Sequence, residues 1–354
     1  MEDALHSLLS PWPLWALILV VVGGIAVLGW AAELLVREAV ALSERSGIPK
    51  VVIGATVVSL GTTTPEVAVS VMAALQGDPG LALSNAVGSI ICDTGLVLGA
   101  ACLAGPLPLP ANIVNRQGWV QLAAAVLLVA ASWPWLAPLS VFQGPARESV
   151  GRLPQSWGFV FLGLLLLYLW LSVRWARRSR DVVHLEELEV DVRAPLPLVL
   201  AKLFGAVALV IVSASIVIAA VGLVAERIGV PQAIIGATVV ALGTSLPELV
   251  TGVMAARRGH GDLAVGNVVG ADILNALFVA GASAAVTTGG LAVSTDFYRW
   301  LFPFMLAILV VFRISVVASR ERMRTSFGVL LLGMYVVYVA VLVVRTVIAG
   351  PAAG

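Results

Sequence analysis

Apolar runs of about 20 residues, the length a bilayer core asks of a helix, recur ten times along the chain. They lie near 13-36, 50-75, 81-104, 118-137, 157-174, 197-225, 232-256, 262-287, 297-317 and 326-349. The breaks between them are short and rich in Gly, Pro or charge, as at QGDPG, RRGHGD and SRERMRTS. Two connections are longer: residues 138-156, and the arginine- and glutamate-rich stretch WARRSRDVVHLEELEVDVRAP, which reads as a solvated loop. The pattern predicts an all-α integral membrane protein of ten transmembrane helices. Residues 1-137 hold spans 1-4 of a first five-helix unit with its fifth span at 157-174, residues 175-196 form a cytoplasmic linker, and residues 197-349 hold a second five-helix unit.

Composition sharpens this reading. The 354 residues are 60% hydrophobic and only 12% charged, where a soluble domain carries roughly 25% charge, and the mean hydropathy is +1.03. The net charge of +1 gives no footprint for nucleic acid. Cys92 and Cys102 lie in apolar sequence and form no disulfide framework. The first apolar run follows acids rather than a basic region and is too long for a cleavable signal, so it reads as a span. With both termini outside, the loops after spans 1, 3, 5, 7 and 9 are cytoplasmic and hold sixteen of the 21 basic residues. That bias orients the chain as a multi-pass protein of the plasma membrane.

The chain also repeats itself. Laying residues 44-93 over 226-275 at a constant offset of 182, without a gap, gives 26 identities in 50 positions. ERSGIPKVVIGATVVSLGTTTPE matches ERIGVPQAIIGATVVALGTSLPE, and LALSNAVGSIICD matches LAVGNVVGADILN. Equivalent points are five spans apart, an odd number, so the copies must cross the membrane in opposite directions. An inverted-topology repeat of this kind is typical of secondary transporters, with the substrate site near the midplane where the copies meet.

Each copy carries Gly-Thr, two further residues, then Pro-Glu, about halfway along a span. Proline removes a backbone donor, so the helix must kink or break there. Open backbone at membrane depth is tolerated only where it lines a cavity or is buried in protein. The freed carbonyls, the hydroxyls of Thr62, Thr63, Thr244 and Ser245, and the carboxylates of Glu66 and Glu248 are hard oxygen donors. Such donors suit Na⁺, Ca²⁺ and Mg²⁺, and a cation offsets the cost of a carboxylate in hydrocarbon.

Twenty-seven residues after Glu66 comes Asp93, and twenty-seven after Glu248 comes Asn275. The expected cage therefore has three carboxylates and one amide, with Ser89 one turn before Asp93 able to add a hydroxyl. Asp272, where the first copy has Ile90, either faces the same cavity or supports it from behind. Gly88 and Gly270 are expected to let neighbouring helices approach closely. Glu44, Arg45, Glu226 and Arg227 read as interface ion pairs, and His6, His184 and His260 lack metal-ligand spacing.

The paired GATVVSLGTTTPE and GATVVALGTSLPE, each followed by N-x-V-G, resemble the two α-repeats of the cation/Ca²⁺ antiporter superfamily, most closely its prokaryotic Na⁺/Ca²⁺ exchanger branch. The resemblance implies that Glu66 and Glu248 bind Ca²⁺ and Na⁺ alternately, helped by Thr62, Thr63, Thr244 and Ser245. It also implies that the main-chain carbonyls of Ser59 and Ala241 are Na⁺ ligands, and that spans 1 and 6 slide to alternate access. The chain departs from the usual Gly-Ser-Asn-Ile at Gly88-Ser89-Ile90-Ile91 and Gly270-Ala271-Asp272-Ile273. The acid and amide at Asp93 and Asn275 are reflected relative to well-known members.

The expected activity is secondary antiport, exporting Ca²⁺ on the Na⁺ gradient, with H⁺/Ca²⁺ exchange as the alternative. Na⁺ and Ca²⁺ share a flexible oxygen cage that Mg²⁺, smaller and reluctant to shed water, does not fit. A passive channel would need a continuous ring of ligands, and no nucleophile, base and orienting group occur together as an enzyme requires. The transported ions and the bilayer are the only partners implied: no cofactor, no nucleic acid and no obligatory protein partner.

Overall fold

The computed structural model describes residues 2–143, 148–178, 195–230, 243–319 and 321–348. A short amphipathic helix α1 (Glu2–Leu9) precedes α2 (Leu14–Ser46), whose length of 33 residues exceeds what a perpendicular crossing needs. A bent pair follows, α3 (Lys50–Thr62) and α4 (Thr64–Leu75), meeting at 45°. Then come α5 (Pro79–Ala104), α6 (Ala111–Ser132), α7 (Gln155–Arg178) and α8 (Leu196–Arg227). The last helices are α9 (Leu246–Arg257), α10 (Gly261–Val286), α11 (Phe297–Ser319) and α12 (Thr325–Ile348).

Among the described residues seven helices are long and apolar enough to cross a membrane, or eight when the bent pair counts as one. The chain is a helical multi-pass membrane protein. The expected fourth span corresponds to α6, which starts seven residues before the expected 118 and carries Asn115, Arg116, Gln117 and Gln121. These polar residues keep it out of the apolar set. Residues 231–242, the first part of the expected seventh span, lie outside the described residues, as does most of the linker.

The fold is not purely helical. Strand β1 (Ser149–Leu153) pairs antiparallel with β2 (Leu291–Ser294). The first strand falls inside the expected 138-156 loop, and the pair ties the chain after α6 to the chain after α10. Its segments are too short to register against the long apolar runs around them.

Helix α2 packs along α8, and each lays one face on the buried core, through Leu35 and Ala39 of α2 and Leu203 and Val210 of α8. Their exposed faces carry Trp15, Leu19, Trp30 and Phe204, as lipid-facing surfaces do. Helices α5 and α10 are the most buried: 78% and 94% of their most apolar windows lie inside the protein. Glycine brings α10 against α3. A Cβ on Gly270 would sit 2.5 Å from Ala55 Cα, one on Gly266 2.1 Å from Val51 O, and one on Gly54 2.5 Å from Leu263 O. The expected close approach at Gly270 is present. At the equivalent Gly88 it is not, because the nearest atom is Tyr338 Oη at 3.9 Å. The sequence makes these two glycines look alike, but one meets backbone and the other a side-chain tip.

Three buried helices widen into π turns at Gly54–Val58, Asp93–Val97 and Asn275–Val279. Such turns displace the local ladder by one residue and occur often at functional sites. The second and third begin at the acid and amide singled out above.

Candidate functional site: a two-sided oxygen cage

Proline produces the break in α3–α4. Thr63, the junction residue, has φ −80° and ψ 0°, and Pro65 opens α4 where the missing N–H is harmless. In the other half Ser245 takes φ −88° and ψ 6° just before Pro247. Each turn sets its glutamate in the first turn of the following helix: Glu66 in α4 and Glu248 in α9. The partial positive charge of a helix N-terminus favours an anion there.

The carboxyls are completed across the two halves. The Thr63 hydroxyl donates to Glu248 Oε1 at 3.4 Å, with Thr62 a second hydroxyl neighbour of that carboxyl. Thr244 neighbours Glu66 in the reverse sense. Asn275 Nδ2 donates to Asp93 Oδ2 at 3.3 Å, so the reflected acid and amide touch directly. Ser245 lies beside Asp93, and Glu248 is an electrostatic neighbour of both Glu66 and Asp93. Glu66, Glu248, Asp93 and Asn275 are each 1% exposed. Thr62, Thr63, Ser59 and Ser89 are buried as well.

The Ser59 carbonyl already accepts the Thr63 N–H at 2.9 Å and the Thr62 hydroxyl at 3.5 Å. Ala241, its expected counterpart, lies outside the described residues. Asp272 is held from behind the cage: its Oδ2 accepts from Thr94 Oγ1 and Gln121 Nε2, each at 2.5 Å. Of the residues expected to pair at span ends, Arg227 donates to Ser10 O at 2.6 Å and Glu226 lies 3.7 Å from His6.

Sequence reasoning missed Asn85, Thr94 and Gln121. Asn85 donates to Glu66 O at 3.3 Å and to Ser70 Oγ at 2.9 Å, and accepts from Thr244 at 3.4 Å. Its signal was its place in the N-x-V-G shared by both halves. For Gln121 the signal was an amide inside an apolar run.

Whether this centre suits a cation is decided by its unmatched atoms. Glu66 Oε2, Glu248 Oε2, Asp93 Oδ1, Asn275 Oδ1 and Asp272 Oδ1 are all buried without a hydrogen-bond partner. Every one is an acceptor. Burying even one unpaired carboxylate costs several kcal/mol, and no donor among the described residues reaches these oxygens. No group of three His, Cys, Asp or Glu side chains among the described residues closes by itself into a metal cluster. Hydroxyl and amide groups lie beside the carboxyls instead, as Thr63 beside Glu248 and Asn275 beside Asp93.

Buried helices broken at carboxylates, sealed by hydroxyls from the facing half, define a cation-transporting membrane protein rather than an enzyme. The sodium/calcium exchanger protein family model matches residues 16–174 and 198–344, and the chain belongs to that family, whose members are transporters. It is 33% identical over 327 residues to the inner membrane protein YrbG of Escherichia coli, covering 90% of this chain and 94% of that one. Its identity with the sodium/calcium exchanger MaX1 of Methanosarcina acetivorans is 29% over 351 residues, covering 92% and 97%. The fold is that of the sodium-calcium exchanger NCX_Mj soaked with 10 mM Na⁺ and zero Ca²⁺, at a TM-score of 0.76 and 22% identity, over 93% of this chain and 99% of that one.

Proposed function

We propose that this cation/Ca²⁺ antiporter exchanges Na⁺ for Ca²⁺, exporting Ca²⁺ from the cell by alternating access at the cage of Glu66, Glu248, Asp93 and Asn275. Ten spans in two inverted five-helix repeats, residues 1-137 with a fifth span at 157-174 and residues 197-349, with the linker 175-196 between, form the scaffold in this reading. The carrying observation is the set of buried acceptor oxygens without donors, distributed over both halves. Carboxylates balance a divalent ion or its monovalent competitors, and flexible hydroxyl and carbonyl oxygens fit the similar radii of Na⁺ and Ca²⁺. Mutual exclusion at one cage couples the two fluxes. The name of MaX1, a sodium/calcium exchanger, supports the same choice.

Thr62, Thr63, Thr244, Ser245 and Ser89 supply hydroxyls, and Ser59 and Ala241 supply carbonyls in the Na⁺-loaded state. Asp272 steers the cage through its charge and its contacts with Thr94 and Gln121. Both termini lie outside the plasma membrane in this reading. Lys50, Arg174, Arg258 and Arg322 fall at the opposite helix ends, which the positive-inside bias assigns to the cytoplasm. The test is Ca²⁺ flux in proteoliposomes with Na⁺, K⁺ and H⁺ gradients imposed one at a time. Flux that follows Na⁺ is the expected result; flux that follows pH and ignores Na⁺ replaces this reading with H⁺/Ca²⁺ exchange.

A further inference from the structure

We propose that the groove between α6 and α7 binds one acyl chain of an anionic phospholipid, with Arg116 and Arg174 holding its headgroup. The groove has a volume of about 260 Å³ and is lined by Val120 and Leu127 of α6, Leu164, Tyr168 and Trp175 of α7, and Leu277 at its floor. Its lining is almost wholly apolar, which suits hydrocarbon and rejects water. From Val120 to Leu127 it extends about 10 Å at 1.5 Å per residue, some two-thirds of one leaflet of a core about 30 Å thick. That is the reach of the upper part of a lipid chain.

Charge at one rim selects the headgroup. The guanidinium of Arg116 lies 4.9 Å from the centre of the Trp175 ring, and that of Arg174 lies 5.0 Å from the Trp170 ring. Both arginines are exposed, and among the described residues neither forms an ion pair. Stacking on indole fixes each guanidinium plane while leaving its N–H donors for phosphate, which arginine binds in a forked geometry. Tryptophan at this depth marks the membrane interface. Cationic donors above an apolar trough match an anionic phospholipid, not a zwitterionic or a neutral one.

The groove also touches the cage. Leu277 belongs to the π turn that begins at Asn275. Tyr168 donates its hydroxyl to Ala55 O at 3.3 Å, in the π turn of α3. A chain in the groove therefore buttresses both turns from the side away from the ion.

Lipid retention is read by native mass spectrometry of the full chain titrated with phosphatidylglycerol or phosphatidylcholine. This arm is independent of the transported ion. Expected is preferential retention of phosphatidylglycerol, weakened about fivefold by each of Arg116→Gln and Arg174→Gln, as for about 1 kcal/mol per basic residue at a lipid surface. Ala123→Phe, at an exposed position on the groove, blocks the trough with both arginines intact and should abolish the preference. Equal retention of the two lipids, or a preference unchanged by all three substitutions, overturns the proposal. The second arm rests on the antiport reading: Ca²⁺ flux in phosphatidylcholine vesicles should rise on adding phosphatidylglycerol, and Ala123→Phe should remove the rise. Absence of any flux counts against the antiport reading and leaves the retention result standing.

Discussion

Asn85 and Asn267 sit at equivalent positions, 182 residues apart, in the same N-x-V-G segment. In the first half the asparagine is partly exposed and joins Thr244, Ser70 and the Glu66 carbonyl. In the second half it is 1% exposed, and neither its Oδ1 nor its Nδ2 has a partner among the described residues. Identical local sequence thus meets two environments. A transporter built from paired halves needs this inequality, because perfect symmetry would open both sides of the site alike. The difference also separates what belongs to the cage itself from what belongs to the conformation it currently holds.

The cage comes first. Glu66→Gln and Glu248→Gln each keep the side-chain volume and one acceptor but remove the charge that offsets cation desolvation. Each is expected to lower Ca²⁺ exchange at least 100-fold, about 2.7 kcal/mol at 1.36 per tenfold, with the protein still monodisperse in detergent. The symmetry of the loss is the point. Near-normal flux in one mutant would assign the cage to the other half alone.

The glycines come second. Gly270→Ala drives a methyl onto the Ala55 backbone at 2.5 Å, whereas Gly88→Ala meets only Tyr338 Oη at 3.9 Å. Overpacking against backbone costs about 1–3 kcal/mol. Gly270→Ala should lower the detergent melting temperature by several degrees and flux about tenfold; Gly88→Ala should change neither. Equal effects would mean that α5 and α10 pack alike, contrary to their surroundings.

How far the sequence carries depends on whether a feature is local or made by contact. The broken span was legible from Pro65 and Pro247, because a missing donor acts within its own helix. Glu66, Glu248, Asp93 and Asn275 were legible from the repeat, and the structure brings Asn275 against Asp93 and Thr63 against Glu248. The grip of Thr94 and Gln121 on Asp272 was not, since it needs α5 and α6 both against α10 and no spacing within one helix encodes it. Nor was the difference between Gly88 and Gly270, which occupy equivalent places in the repeat but face different neighbouring helices. The β1–β2 pair stayed hidden because strands of five and four residues look like loop between long apolar runs.

Third is the reflected pair. Asp93→Asn should reduce flux about tenfold, and Asn275→Asp added to it should restore a substantial part, because the two side chains touch at 3.3 Å and contacting residues couple. The readout is flux in both single mutants and the double. Recovery is limited by Asp272, an electrostatic neighbour of Asp93 and one turn from position 275. Strictly additive losses would separate the two residues despite their contact.

The smallest effect bears most directly on the asparagines. Asn85→Leu removes three hydrogen bonds, each worth about 0.5–1.5 kcal/mol net, so it should lower thermal stability and slow flux several-fold. Asn267→Leu removes no bond among the described residues, and replacing a buried unpaired amide by an apolar group of like shape is neutral or stabilising. It should leave the melting temperature unchanged or raise it by a few degrees. If the halves exchange environments during the cycle, Asn267 takes up in the opposite state the contacts that Asn85 makes here, with Thr62 and the Glu248 carbonyl. Asn267→Leu should then slow flux about twofold to threefold while stabilising the protein. A variant that is more stable and fully active would show that Asn267 is never recruited, and that the inequality of the two halves is permanent rather than exchanged.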